Sequence, residues 1–196
     1  MKQDTRELIL KESFKLFTEK RYEQVTVSDL ERATKLTRGA IFYYMKNKEH
    51  LFVEVLDKYM LNRVAPQLSN GQMTLASYID LFIDQLVKSK KQMSALGVKN
   101  MNFAFANITN QALYYYPEFA KLLKEKSDEE RNNWVNILQQ AVKSGEVVDT
   151  IDVEAIADLF QHVYTGFDTC GIMLDEGIAL KETHRAFDSI YNLIKK

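Results

Sequence analysis

In 196 residues the chain carries only two prolines, Pro66 and Pro117, and seven glycines, so almost nothing interrupts a helix from within. Apolar residues recur at three- and four-residue spacing over long windows, and the expected fold class is all-α. A first helix over about 4–19 puts Leu10, Phe14 and Phe17 on one face, with Asp4 and Glu7 as its capping pattern. Thr26 is placed to cap a short helix to about Ala33, Thr37 a second to about Tyr44, and Asn47 a longer one that fades near Pro66. Ser69-Asn70-Gly71-Gln72 is the one polar, turn-rich stretch and marks an internal boundary. Beyond it the pattern predicts a helix from Thr74, helices over about 92–106 and 109–125, and another opened by Ser127 and Glu130 and closed at Ser144-Gly145. Two strongly periodic helices end the chain. One carries Ile156, Leu159, Val163, Phe167, Cys170 and Leu174, the other Leu180, His184, Phe187, Tyr191 and Ile194.

Composition narrows the function classes. Lys plus Arg number 26 against 27 Asp plus Glu, a net charge of −1, which excludes a globally basic nucleic-acid coat protein. The single cysteine, Cys170, has no intrachain partner for a disulfide, and MKQDTRELIL lacks the apolar core of a signal peptide, so a cytoplasmic location is expected. The longest stretch without formal charge, 100–117, is punctuated by Asn102, Asn107, Asn110 and Gln111, and no membrane partner is expected. His50, His162 and His184 are scattered. Asp158 and His162 lie four residues apart with no third ligand in view, so neither an enzyme, a metal site nor a cofactor is expected.

The stretch that carries chemistry is TVSDLERATKLTRGAIFYYMKNK, residues 26–48: a short helix, a tight turn and a second short helix, the layout of a helix-turn-helix. Turning the second helix by 100° per residue gathers Arg38, Gly39, Phe42 and Tyr43 on one arc, with Ile41, Tyr44 and Met45 opposite. From Arg32 to Lys48 there are five basic residues and no acidic one, a local field that attracts a polyanion although the chain is slightly negative. Arg38 can pair bidentately with guanine, and Tyr43 can meet a base or a phosphate. Bare Gly39 allows a close approach to a groove, and Thr26 and Lys48 stand at helix N-termini, whose free N–H groups favour phosphate. The same segment reads equally as a solvated face of a helical carrier or scaffold for an apolar small molecule, with no sequence-specific DNA binding.

The run ILKESFKLFTEKRYEQVTVSDLERATKLTRGAIFYYMKNKEHLFVEVL resembles the DNA-binding segment of TetR-type transcriptional regulators. The resemblance rests on Leu16-Phe17, Tyr22, Thr26-Val27, Leu30, Ala33, Gly39, Ile41, Lys48-Glu49 and Leu51-Phe52 in order and spacing, over about the first 56 residues. It implies a ligand-responsive repressor that binds a palindromic double-stranded DNA operator as a homodimer. The implied layout is a three-helix helix-turn-helix DNA-binding domain at 1–48, a linking helix at 47–65, and a helical effector-binding and dimerisation domain at 66–196. By position, the implied DNA contacts are Thr26, Thr37, Arg38, Gly39, Phe42, Tyr43, Tyr44 and Lys48. Departures from the family pattern are Phe42 for a tyrosine, Tyr44 for a histidine, Met45 for a phenylalanine, Thr34 for a turn glycine, and Lys20-Arg21 where a glycine precedes the aromatic. The last two helices are expected to pair with their twofold mates in a four-helix bundle, helped by Gly166, Cys170 and Gly171. For a small-molecule effector of unknown identity the candidate residues are Met101, Phe105, Asn110, Tyr114, Trp134, Tyr164 and Phe167, with Asn107 and Gln111 as orienting amides or helix caps.

Overall fold

The computed structural model describes residues 2–61 and 73–196. Among them the chain forms nine α-helices: α1 (Lys2–Glu19), α2 (Val27–Thr34), α3 (Arg38–Tyr44), α4 (Lys48–Leu56), α5 (Leu75–Ala95), α6 (Met101–Tyr115), α7 (Phe119–Ser144), α8 (Val153–Gly171) and α9 (Leu180–Ile194). The fold is all-α, with an N-terminal helix-turn-helix bundle and a C-terminal helical domain. The expected caps are in place: the side chains of Thr26, Thr37, Asn47 and Thr74 accept backbone N–H groups at the starts of α2, α3, α4 and α5. Asp4 instead lies inside the first turn of α1, which begins at Lys2. After Leu56 the linking helix continues as one π turn, Asp57–Leu61, and Pro66 and the 69–72 boundary lie outside the described residues.

The middle of the chain differs from the sequence expectation. There is no helix over 92–106 and no break near 108. Instead α5 ends at Ala95, Gly97 turns the chain at φ +88°, and Asn100 caps an unbroken α6 through Tyr115. Asn107, Asn110 and Gln111 lie within α6; the amides of Asn107 and Gln111 donate to the carbonyls of Thr18 (2.8 Å) and Phe17 (3.0 Å) at the end of α1. Ser127 and Glu130 do not open a helix, because α7 runs through them from Phe119 to Ser144, and the Ser127 carbonyl and hydroxyl both receive the Gln161 amide of α8.

Two hydrophobic cores result. The first joins Phe14, Phe17, Leu30, Ile41, Phe52 and Val55 of the N-terminal helices to Phe105, Ile108 and Ala112 of α6, so α6 is built into the underside of the helix-turn-helix bundle. The second centres on Trp134, stacked on Phe160 at 4.5 Å and met edge-on by Tyr78 and Phe187. Two ends are pinned as well. The Glu146 carboxylate accepts the N–H groups of Leu75 and Ala76 at the start of α5, and the Lys196 N–H donates to the Glu146 carbonyl, holding the C-terminus beside it.

Candidate nucleic-acid interface and effector cavity

The geometry of the helix-turn-helix begins with Asp29. Its carboxylate accepts from the Thr26 N–H (3.0 Å) and hydroxyl (2.9 Å) while the Thr26 hydroxyl accepts the Asp29 N–H, a reciprocal box that fixes the start of α2. Lys20 adds a 2.7 Å ion pair to the same carboxylate. Those hydrogen bonds, Lys20 foremost and then the Thr26 backbone, hold the Asp29 carboxyl down to about 2 against the burial that would raise it. Sequence reasoning passes over Asp29 and reads Lys20 only as a departure from the family pattern. The Thr-x-x-Asp spacing is a usable signal for the first; nothing marks the second as its partner.

The turn between α2 and α3 works without the glycine that the resemblance leads one to expect there. Thr34 remains helical, donates its hydroxyl to the Leu30 carbonyl (2.7 Å) and accepts the Leu36 N–H (3.2 Å). The left-handed position falls one residue later, on Lys35 at φ +59°. Ile41 and Met45 plug α3 into the first core, and its other side faces outward: Arg38 and Gly39 are exposed, Phe42 is 44% and Tyr43 69% exposed. The Arg38 guanidinium lies 5.6 Å from the centre of the Phe42 ring, and no atom approaches within 4 Å of where a Gly39 Cβ would stand. Tyr44 is half-buried against the first core, its ring edge-on to Tyr43 at 5.0 Å. Thr26 and Thr37 are exposed at their helix starts, and Lys35 and Lys46 are exposed as well.

Lys48 is placed differently from the others. Its N–H stands at the start of α4, but its ammonium turns inward and donates to the carbonyls of Tyr22 (2.8 Å), Val25 (3.1 Å) and Glu23 (3.4 Å), 4.4 Å from the centre of the Tyr22 ring. Burial pulls this ammonium below its ordinary pKa, with the Glu23 carboxylate acting the other way. The side chain clamps the turn between α1 and α2 to α4.

In the C-terminal domain a cavity of about 340 Å³ opens between the π turn, α5, α7 and α8, lined by Met60, Phe82, Leu86, Leu123, Glu130 and Tyr164 among others. A second of about 690 Å³ lies between the π turn, α5 and α6 and includes Tyr59, Met93, Leu96 and Phe105. The two share Gln85 and Ser89 as lining residues. Of the seven effector candidates, Tyr164 lines the first cavity and Phe105 the second. Met101 and Trp134 are buried in the two cores, Phe167 packs at the edge of the second core, Asn110 is exposed and Tyr114 is 78% exposed. The structure therefore does not bring the seven together. Sequence reasoning misses Met60, Phe82, Leu86 and Leu123, because a cavity wall and a core face share one helical period.

Asn107 and Gln111 face α1 rather than either cavity, and Tyr115 stacks on Tyr22 at 4.5 Å and donates its hydroxyl to Glu23. At its other end α6 is tied to the α8–α9 connection. Asn100 donates to the Gly171 carbonyl (2.9 Å), and Asn102 donates to Asp168 and accepts the Ile178 N–H. On α8 the exposed positions Ala155, Leu159, His162, Gly166 and Cys170 repeat at helical spacing and lead to exposed Met173. On α9, Phe187 and Ile194 turn inward into the second core, so only part of that predicted seam is exposed. Asp158 is held by Arg131 and His162 faces the Asp158 carbonyl; among the described residues no three His, Cys, Asp or Glu side chains are grouped to hold a metal. No described helix is long and apolar enough to cross a membrane.

The N-terminal helices form a helix-turn-helix with an outward face of arginine, glycine and aromatics, mounted on a helical domain. Residues 9–55 match the model of the tetR family of bacterial regulatory proteins. The chain is 26% identical over 85 residues to the transposon Tn10 TetC protein of Escherichia coli, a match covering 40% of this chain and 42% of that protein. It thus spans well under half of that relative. It is 21% identical to the HTH-type transcriptional repressor KstR2 of Mycolicibacterium smegmatis, over 77% of this chain and 71% of the relative. The fold aligns with the solved SmeT–triclosan complex at a TM-score of 0.65 and 16% identity, covering 98% of this chain and 92% of that one.

Proposed function

We propose that the protein is a ligand-responsive repressor that binds a palindromic DNA operator as a homodimer. In this reading residues 1–48 form the DNA-binding domain, 47–65 the linking helix, and 66–196 the effector and dimerisation domain. The observation that carries it is the outward face of α3, where Arg38, Gly39, Phe42 and Tyr43 project from a segment with five basic residues and no acidic one. Arg38 reads guanine through its two-pronged donor, and Phe42 packs where a thymine methyl can lie. Tyr43, Thr26, Thr37 and the α4 N-terminus at Lys48 meet phosphates. Tyr44 supports Tyr43 from behind.

Pairing of α8 and α9 with their twofold mates buries the Leu159–Gly166–Cys170 stripe and sets the two α3 helices about 34–36 Å apart, one turn of the duplex. The effector binds beside Tyr164 in the α5–α7–α8 cavity. The similarly folded SmeT forms a complex with triclosan, which supports a small-molecule site on this fold. Because α6 is tied to the α8–α9 connection at one end and to α1 at the other, a shift of the effector domain reaches the DNA-binding helices.

Filter binding on an inverted-repeat duplex tests the reading. Arg38→Ala together with Tyr43→Ala should abolish specific binding while the dimer mass and helical content stay unchanged. Retained binding would sink it.

A further inference from the structure

The cavity beside Tyr164 has two polar atoms behind its floor that the fold leaves without partners. Along α5 the lining residues Phe82, Leu86 and Ser89 follow one helical face, and one turn earlier on that face stands Tyr78. Along α7, Ser127 and Glu130 line the cavity, and one turn beyond them stands Trp134. Both Tyr78 and Trp134 are completely buried, yet the Tyr78 hydroxyl and the Trp134 indole N–H have no hydrogen-bond partner. Their rings meet edge to face at 4.8 Å. Phe82 is the ring common to the pair and the cavity: it lines the cavity, packs on Trp134 at 5.3 Å and meets Tyr164 at 5.1 Å.

An apolar core has no use for a phenol hydroxyl and an indole N–H without acceptors, since phenylalanine at 78 would fill the same space without the desolvation penalty. The indole N–H can only donate, and the hydroxyl is free to donate, so what each of them lacks is an acceptor. Besides Tyr78, the rings packed on Trp134 are Phe82, Phe160 and Phe187, with Tyr164 against Phe82, while the rest of the cavity wall is mixed, with Gln85, Gln161 and Thr165. Glu130, at the cavity wall, acts on the Tyr78 hydroxyl and, after burial, is the second cause that raises its pKa. Glu130 and the Lys126–Glu129 pair line the same cavity, so a neutral head reaches the two donors without a charge of its own to desolvate, and a cationic head would find two donors.

We propose that the effector is a neutral, flat aromatic molecule with a hydrogen-bond acceptor, a carbonyl or ether oxygen, at its leading end. It displaces the Phe82 ring and is received by the Tyr78 hydroxyl and the Trp134 N–H. This assignment rests on the effector reading above and gives that site its ligand class.

Trp134 is the only tryptophan in the chain, so its fluorescence reports on this position alone. The test titrates the purified protein with two probes of nearly the same shape, fluorenone, which carries a carbonyl, and fluorene, which does not. Binding is followed by Trp134 quenching and by calorimetry, on wild type, Tyr78→Phe, Trp134→Phe and Phe82→Ala. Fluorenone should quench saturably and bind at least ~10-fold more tightly than fluorene. Tyr78→Phe should shrink that ratio to about threefold or less while leaving fluorene binding and the thermal midpoint of the free protein unchanged, and calorimetry on Trp134→Phe should show the same loss.

Equal affinity for the two probes in wild type would overturn the acceptor site and leave the cavity standing as an effector pocket. Failure of both probes to bind wild type and Phe82→Ala would overturn the ligand class together with the cavity reading. A Tyr78→Phe midpoint lowered by several degrees without any probe would show the hydroxyl to be engaged inside the fold, and would overturn the proposal on its own.

Discussion

Replacing Lys48 by methionine separates two roles for one cation. Methionine keeps the unbranched stem and removes the ammonium, which donates to the Tyr22, Val25 and Glu23 carbonyls and sits 4.4 Å from the Tyr22 ring. Two good charge-assisted hydrogen bonds are each worth about 1.5–3 kcal/mol, and the cation–π contact about 0.5–2. Against this stands the cost of burying the charge, which the depressed Lys48 pKa registers, and the Tyr22 carbonyl keeps the Val25 N–H as a second donor. The net expectation is a loss of about 1–2 kcal/mol in urea denaturation.

DNA binding gives the contrasting readout. A lysine that neutralises one phosphate in each protomer contributes about 1.8 to the slope of log affinity against log salt. Its loss would relax the affinity drop between 50 and 200 mM salt by roughly twelvefold. Because the Lys48 ammonium is turned inward, the slope in Lys48→Met, measured by fluorescence anisotropy at protein concentrations where the variant is folded, should stay within about 0.5 of wild type. An unchanged stability with a slope flattened by about 1.8 would refute the clamp and make the side chain a phosphate ligand.

Other expectations follow from the same geometry. Asp29→Asn should cost about 1–2 kcal/mol at neutral pH. The Asp29 carboxyl is lowered to about 2 by folding, so its contribution is full above the unfolded carboxylate value near 3.8 and is lost as pH falls toward 2; acid titration curves of wild type and Asp29→Asn should therefore converge there, and parallel curves would refute the pairing. Lys35→Gly should raise stability by about 0.5–1 kcal/mol by removing a side chain from the left-handed position, and a loss in chemical denaturation would contradict the turn assignment. Gly177→Ala should lower the thermal midpoint by several degrees, because φ is +78° and an added Cβ would lie 2.6 Å from the Asn102 side-chain oxygen; an unchanged midpoint would show that the tie between α6 and the α8–α9 connection can yield. Arg38→Ala should weaken operator binding by about 10- to 100-fold and relax discrimination at one base pair, read from a panel of single-base variants.

The N-terminal bundle is legible in the sequence because its signals are local. Thr26, Thr37 and Asn47 each announce a helix start through a side chain that reaches its own backbone, and Phe14, Phe17, Ile41 and Phe52 fall on the core side at helical spacing. The boundaries from α5 to α7 are not, because their determinants are long-range. Asn107 and Gln111 look like breakers in a linear reading, but their partners, Thr18 and Phe17, lie about ninety residues away in sequence. Ser127 matches a capping box, yet its acceptors serve Gln161 on a neighbouring helix. The inward turn of the Lys48 ammonium is equally hidden, since it depends on carbonyls exposed at the Tyr22–Gln24 turn rather than on the identity of any side chain. The effector candidates rest on aromatic content, and Trp134 shows the weakness of that signal: it is the centre of a core, and its relation to the cavity runs through Phe82.

The central claim, that α3 reads DNA sequence from a twofold assembly, is tested most directly by selecting duplexes from a random pool with the purified protein and sequencing those retained. An enriched inverted repeat with half-sites one helical turn apart, lost in the Arg38→Ala, Tyr43→Ala variant, is the predicted result. A folded dimer that enriches no sequence at about 50 mM salt, with or without bound fluorenone, would contradict it.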